Sequence, residues 1–307
     1  MDITYKVKMI WIIYYKDEWR YKYMIMKCNC CDGIYNSFDV HFTSACDNKC
    51  AHCVDLCYAG KNIIKPDWKA IADTIIANMD GLDDVLFLGG EPCLFLDELI
   101  NCLEYLKENT SLKLYVTTSV PKVCYDNQDR FYYLISLLDG INLSVQHYRE
   151  EVADEIRKTK SQYDRQAFYA SLPYKEKIRI NLNIVKPYLY EKDDIVECLK
   201  HYDNMGFNSI KLSEIQHGTD YYVSFEKLFD LNLGSAYSHG CQTYINMDKI
   251  IEGFKTPLLL KRSCFACEDT LKATPEDVLK TFCKLFAKQT NKYGVVYEDG
   301  TLERGWV

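Results

Sequence analysis

From residue 37 to residue 215 the chain repeats one pattern: a short run rich in β-branched and aromatic residues, then a longer stretch with apolar residues at three- and four-residue spacing. The short runs predict strands over 37–43 (SFDVHFT), 84–89 (DVLFLG), 113–118 (KLYVTT), 141–146 (INLSVQ), 179–185 (RINLNIV) and 209–215 (SIKLSEI). The longer stretches predict helices near 66–79, 96–109, 128–138, 149–160, 164–171 and 191–205. Six such units in succession imply an α/β fold of parallel strands joined by right-handed crossovers. Six rather than eight predicts a partial (β/α)6 barrel with an open side, and reacting groups in a barrel sit at the C-terminal ends of its strands.

The flanks follow other patterns. Residues 1–36 predict an N-terminal β-hairpin extension, with apolar runs over 3–15 and 20–27 around the polar break Lys16-Asp17-Glu18. Residues 216–307 break the alternation and predict a small Cys-rich extension. That extension includes a helix opening at Thr274-Pro275-Glu276-Asp277 and a closing hairpin around Asp299-Gly300.

Composition narrows the setting. The 307 residues are 48% hydrophobic and 26% charged, enough for one large core. The first twenty residues place lysines inside their apolar stretch and offer no small-residue cleavage site, which argues against a signal peptide. No run reaches the ~18 apolar residues of a membrane helix, so the expected location is cytoplasmic. A net charge of −7 disfavours nucleic acid as a partner. In a chain without an export signal, the fifteen cysteines point to metal binding or chemistry rather than disulfides.

Two motifs carry that chemistry. The first is Cys46-Asp47-Asn48-Lys49-Cys50-Ala51-His52-Cys53, a C-x3-C-x2-C loop directly after the first barrel strand. Thiolates hold iron one per iron in such clusters, so three cysteines on four irons leave one iron for another ligand. Read alone, the triplet with His52 also fits a zinc knuckle. The second motif, Gly89-Gly90-Glu91-Pro92, ends the second strand, where two glycines allow close approach of the main chain and Glu91 braces the turn.

Together these motifs resemble the radical S-adenosylmethionine (SAM) superfamily, over roughly residues 37–215. The family's position before the last cysteine is often aromatic, and here it is His52. The resemblance implies a 4Fe-4S cluster on Cys46, Cys50 and Cys53, with SAM on the free iron and its amino group held by the GGEP-like turn. It also implies an electron donor such as flavodoxin or ferredoxin, and reductive cleavage of SAM to a 5′-deoxyadenosyl radical. Thr118, Ser119, Ser144, Gln146 and Leu212 are the further candidate SAM contacts, with Ser144 and Gln146 expected on one face of strand four. Asn181, Asn183 and Glu214 are candidates to face the substrate or to be satisfied core groups.

The C-terminal cysteines Cys241, Cys264, Cys267 and Cys283 resemble the auxiliary-cluster extensions called twitch or SPASM domains, and imply a second 4Fe-4S cluster. A structural zinc on the same thiols is the rival reading, and Cys283 also reads as a buried helix thiol. No role is expected for Cys28, Cys30 and Cys31, and Cys93 is expected to pack. The favoured substrate is a peptide or protein side chain. About 36 residues precede the barrel, too few for the winged-helix module many such maturases carry. A small molecule such as a sugar or nucleoside derivative is the alternative, and a non-catalytic iron–sulfur or zinc sensor is the reading from another class.

Overall fold

The computed structural model describes residues 37–50, 52–53, 64–215, 220–230, 244–247, 250–261 and 294–303. The expected hairpin before residue 28, the helix opening at Thr274, and Cys28, Cys30, Cys31, Cys57, Cys241, Cys264, Cys267 and Cys283 lie outside these residues.

The alternation read from the sequence is present: β1 (Ser37–His41), α1 (Trp68–Ala77), β2 (Asp84–Leu88), α2 (Leu96–Asn109) and β3 (Lys113–Thr118) come first. They are followed by α3 (Lys122–Asp126), α4 (Gln128–Leu137), β4 (Gly140–Ser144), α5 (Glu150–Arg157), α6 (Arg165–Ser171), β5 (Ile178–Ile184), α7 (Lys192–Asp203) and β6 (Ser209–Glu214). After α8 (Phe225–Leu228) come β7 (Tyr244–Asn246), β8 (Leu258–Lys261), β9 (Gly294–Tyr297) and β10 (Leu302–Glu303). β1 to β6 are parallel and lie side by side in chain order, as right-handed strand–helix units require.

The sheet is wider than six strands. Its order is β10-β9-β1-β2-β3-β4-β5-β6-β8-β7, with β9 parallel to β1 and β8 parallel to β6. The expected boundary at residue 215 therefore separates two stretches of chain, but the sheet crosses it. The hairpin at Asp299-Gly300 is present as β9–β10, with Gly300 at φ +83 and its Cβ position only 2.8 Å from Ala70 Cβ. β8 went unpredicted because four residues, Leu-Leu-Leu-Lys, carry no period that distinguishes strand from helix.

Alternation along each strand separates two faces. Val40, Val85, Phe87, Leu114, Val116, Leu143, Ile180, Leu182, Ile210 and Leu212 point into one continuous apolar cluster shared with the helices. α2 shows how the sequence supplies that layer: Leu96, Leu99, Ile100, Leu103 and Leu106 are buried at helical spacing, each contributing about 2 kcal/mol of apolar burial. The opposite face carries Asp39, His41, Thr117, Asn142, Ser144, Arg179, Asn181, Asn183, Lys211 and Ser213. Buried polar groups require partners, and here Arg179 Nε donates to Asn142 Oδ1 at 2.7 Å while Asn142 Nδ2 donates to Thr117 Oγ1 at 3.0 Å. No helix among the described residues is long and apolar enough to cross a membrane.

Candidate active site

The cysteine loop leaves β1 and is held from several directions. Phe42 N–H donates to Leu88 O at 2.9 Å, and the N–H groups of Gly90 and Glu91 donate to Thr43 O and Ala45 O, each at 2.7 Å. Further along, Lys49 N–H donates to Arg157 O (2.8 Å) and Thr159 Oγ1 to Asp47 O (3.2 Å), tying the loop to the end of α5. Asn48 Nδ2 donates to Ser119 Oγ at 2.9 Å, and His52 Nε2 lies 3.4 Å from Asn183 Nδ2 on β5. A Cβ on Gly90 would stand 2.2 Å from Ala45 O, and Gly89, at φ +119, would place one 2.8 Å from Thr43 O. The glycine pair is thus required first by contact with the cysteine loop, a partner the sequence did not identify.

Glu91 joins this turn to the end of β3. Its Oε1 accepts from Thr118 Oγ1 (2.6 Å) and Cys93 N–H (3.1 Å), and its Oε2 accepts from Ser119 N–H (2.6 Å) and Ser119 Oγ (2.7 Å). Burial pushes the carboxyl pKa up, while the hydrogen bonds from Thr118 and Ser119 oppose the rise. Two of the four donors are main-chain N–H groups that cannot turn away, so the pocket suits the ionised form. The hydroxyls of Thr118 and Ser119, expected as SAM contacts, are engaged by Glu91.

The three thiols border this frame. Cys46 and Cys53 are exposed and Cys50 is partly buried. Desolvation by the surrounding loop pushes the Cys46 thiol up to about 12; a hydrogen bond from Asn48 N–H opposes the rise, and the nearby Glu91 and Asp47 add to it. Cys50 is pushed up to about 11 by burial and then by Cys53, opposed by Arg157. Metal binding must displace these protons, which makes it pH-dependent. Among the described residues no three His, Cys, Asp or Glu side chains converge closely enough for one ion. A four-iron cluster takes one thiolate at each of three iron corners, the donor number the loop supplies. His52, the knuckle's fourth ligand by sequence, is directed at Asn183.

The family model described as the radical SAM superfamily matches residues 40–208. The chain belongs to the radical SAM superfamily. Membership makes it an enzyme and implies SAM and a 4Fe-4S cluster, which sets aside the sensor reading. A curated relative, the S-adenosylmethionine-dependent nucleotide dehydratase of a Thermoplasmatales archaeon (strain ISO4-H5), is 29% identical over 157 residues, covering 49% of this chain and 52% of the relative. Among solved structures, Streptococcus suis SuiB bound to S-adenosylmethionine aligns with a TM-score of 0.60 at 18% identity, over 89% of this chain and 60% of SuiB. SuiB bound to precursor peptide SuiA gives 0.59 with the same coverage. The chain thus spans about half the length of the curated relative, and the likeness to SuiB is one of fold.

The remaining candidate residues of this radical SAM chain divide. Ser144 ends β4 and is partly buried, but β4 stops there, two residues short of the predicted strand. Gln146 lies beyond it at φ +64, so strand alternation does not govern its direction, and its buried Oε1 lacks a hydrogen-bond partner. Leu212 is fully buried with its side chain in the apolar cluster, leaving only its main chain for the other face. Glu214 closes β6 and accepts from Phe225 N–H at 2.7 Å. Cys93 is fully buried, as a packing residue should be. Asn48, Arg157 and Arg165 organise the site without having been candidates, because no spacing rule marks a residue whose partners lie far along the chain.

Proposed function

We propose that the chain reductively cleaves SAM at a 4Fe-4S cluster held by Cys46, Cys50 and Cys53, and abstracts hydrogen from a substrate seated on the polar face of the sheet. The observation that carries this reading is the bracing of the cysteine loop by the Gly89–Pro92 turn, through the bonds at Thr43 and Ala45 and the link Glu91–Ser119–Asn48. When bound, the cluster supplies the electron that breaks the sulfonium bond and releases the 5′-deoxyadenosyl radical, the electron itself coming from a donor such as flavodoxin or ferredoxin. An ammonium only donates, so the carbonyl oxygens of the turn are its acceptors, those of Gly89 and Gly90 first, since Glu91 O already accepts from Leu94 N–H at 3.1 Å. Pro92 has no N–H to compete for them and opens the short 3-10 turn that follows. Ser144, Gln146 and the main chain at Leu212 complete the proposed SAM contacts, while Thr118 and Ser119 act through Glu91.

Two substrate readings have support. A peptide side chain, oxidised or bonded as in peptide maturation, is supported by the fold shared with SuiB, solved with its precursor peptide. A phosphorylated small molecule is supported by the curated relative, named for a nucleotide. Cys241, Cys264, Cys267 and Cys283 are proposed to hold an auxiliary 4Fe-4S cluster, on the strength of the C-x2-C pair and its flanking thiols.

The test is anaerobic reconstitution, reduction with dithionite and incubation with SAM. Wild-type protein is expected to form 5′-deoxyadenosine, and Ala at Cys46, Cys50 or Cys53 to abolish it and lower the bound iron. Ala at Cys264 and Cys267 is expected to lower iron while some SAM cleavage persists. Product formation that survives loss of all three loop thiols would overturn the assignment.

A further inference from the structure

The hairpin β9–β10 sends one acid back to the start of the cysteine loop. β9 lies parallel to β1 with Tyr297 in register with His41, and Glu298 is the next residue. Its carboxylate meets two groups 257 and 254 positions away: Oε2 accepts from His41 Nδ1 at 3.1 Å and Oε1 from Ser44 Oγ at 2.9 Å. Because a carboxylate only accepts, the first contact places a hydrogen of His41 on Nδ1. His41 is 1% exposed and the Glu298 side chain 14%, so water competes little for the contact between them. The hairpin has anchors of its own: Asp67 N–H donates to Glu298 O and Thr74 Oγ1 to Gly300 O, each at 2.8 Å, and Tyr297 N–H donates to Thr301 O at 2.9 Å. Glu298 therefore projects from a fixed frame. The two groups it holds are those that seat the glycine pair. A Cβ on Gly89 would stand 3.2 Å from His41 Cδ2, and one on Gly90 3.0 Å from the Ser44 carbonyl carbon. Ser44 also lies between the two main-chain bonds, at Thr43 and Ala45, that join the loop to the turn.

We propose that Glu298 is a positioning residue for SAM binding, holding His41 against Gly89 and Ser44 against Gly90 with one carboxylate. The proposal rests on the radical-generating reading, in which carbonyl oxygens of this turn receive the SAM ammonium. Those oxygens keep a fixed direction only while the backbone they belong to cannot turn. Glu91 ties the turn to β3, and Glu298 ties the loop that the turn rests on to β9. Glu298 acts through His41 and Ser44, so its removal leaves the thiols in place and loosens the surface that the SAM ammonium meets.

The test uses the full chain, anaerobically reconstituted and reduced, and follows SAM binding by the change it makes in the electron paramagnetic resonance spectrum of the cluster. Glu298→Ala is expected to weaken SAM binding about tenfold at unchanged iron content. Glu298→Gln is expected to recover most of that loss, since its Oε1 accepts from Ser44 Oγ while its –NH2 donates to Nδ1 of the other His41 tautomer. Ser44→Ala should weaken binding as well, and the double variant no more than Glu298→Ala alone, because the two changes remove one shared contact. Thr74→Val removes the bond from α1 to Gly300 and leaves Glu298 its partners, so it should lower the unfolding midpoint and keep the wild-type SAM affinity. Should Glu298→Ala not fold, Ser44→Ala carries the same readout. Wild-type SAM affinity in the Ala variants, a Gln variant as weak as the Ala variant, losses that add in the double variant, or equal weakening in Thr74→Val would overturn the proposal. Formation of 5′-deoxyadenosine by wild type in the same samples separates the outcomes: without it the radical reading falls, and with it but unaltered SAM affinity in the Ala variants only the role of Glu298 falls.

Discussion

Glu91 shows how one side chain can fasten the turn after β2 to the end of β3. Four donors from two segments converge on its carboxylate, two of them hydroxyls and two main-chain N–H groups. Glu91→Gln keeps the shape but turns an –NH2 group toward at least one fixed donor. The expected cost is about 2–4 kcal/mol, the loss of a charged acceptor together with a buried unpaired donor. A denaturant-unfolding series on the two proteins measures it, and SAM cleavage should fall in parallel; an unchanged midpoint would show that the brace is not structural. The motif itself was legible, since Gly-Gly-Glu-Pro at the end of a strand marks a turn under constraint. Its partners Thr118, Ser119, Thr43 and Ala45 were not, because hydrogen bonds across 27 to 47 positions leave no local pattern.

At the scale of elements, the segment joining β3 to α3 is held in an unusual backbone state. Val120, β-branched and fully buried, sits at φ +57, a region costly for such a residue. Arg165 at the start of α6 secures it: Nη1 donates to Ser119 O at 2.5 Å and Val120 O at 2.8 Å, and Tyr163 Oη also donates to Val120 O at 2.5 Å. The guanidinium lies 4.9 Å from the centre of the Tyr163 ring. Because Ser119 in turn contacts Glu91 and Asn48, the start of α6 sets the position of the cysteine loop. Arg165→Met removes the donors and keeps the bulk, with an expected loss of about 3 kcal/mol, read as a lower unfolding midpoint. SAM affinity should fall more than iron content, because the thiols stay in place while the turn they face shifts. A variant as stable as wild type would mean that Tyr163 alone suffices. The helix was readable from its 164–171 pattern, but an inward arginine at its first residue was not, since arginine there reads as surface.

For the whole molecule, acid sensitivity follows from histidines kept neutral. His147 is fully buried, accepts Arg149 N–H at Nδ1 (2.9 Å), and is pushed down to about 4 by burial and then by Arg149. Burial also lowers His201, whose Nε2 is 3.1 Å from Gln166 Oε1. A histidine whose folded pKa lies below its unfolded value of about 6.5 leaves the unfolded chain binding more protons between the two values. Stability is therefore complete above about pH 6.5 and falls as the pH drops toward about 4, by roughly 2–3 kcal/mol from His147. Chemical unfolding at pH 7.5, 6 and 5, in wild type and in His147→Asn, isolates this contribution from that of the carboxylates. The slope should be shallower in the variant, and equal slopes would contradict the assignment.

What the sequence determined by itself is the succession of parallel strand–helix units and the two motifs at their ends. Hydrophobic period is a local property, and right-handed crossovers leave few ways to arrange six such units. Tertiary structure alone decided that β9–β10 and β8–β7 extend the sheet at both sides, that the glycine pair meets the cysteine loop, and that Glu298 reaches His41 and Ser44. Short strands take their place from the open edge they meet, and a buried polar group takes its partner from whichever element packing brings to it. Neither choice is made by neighbours in sequence.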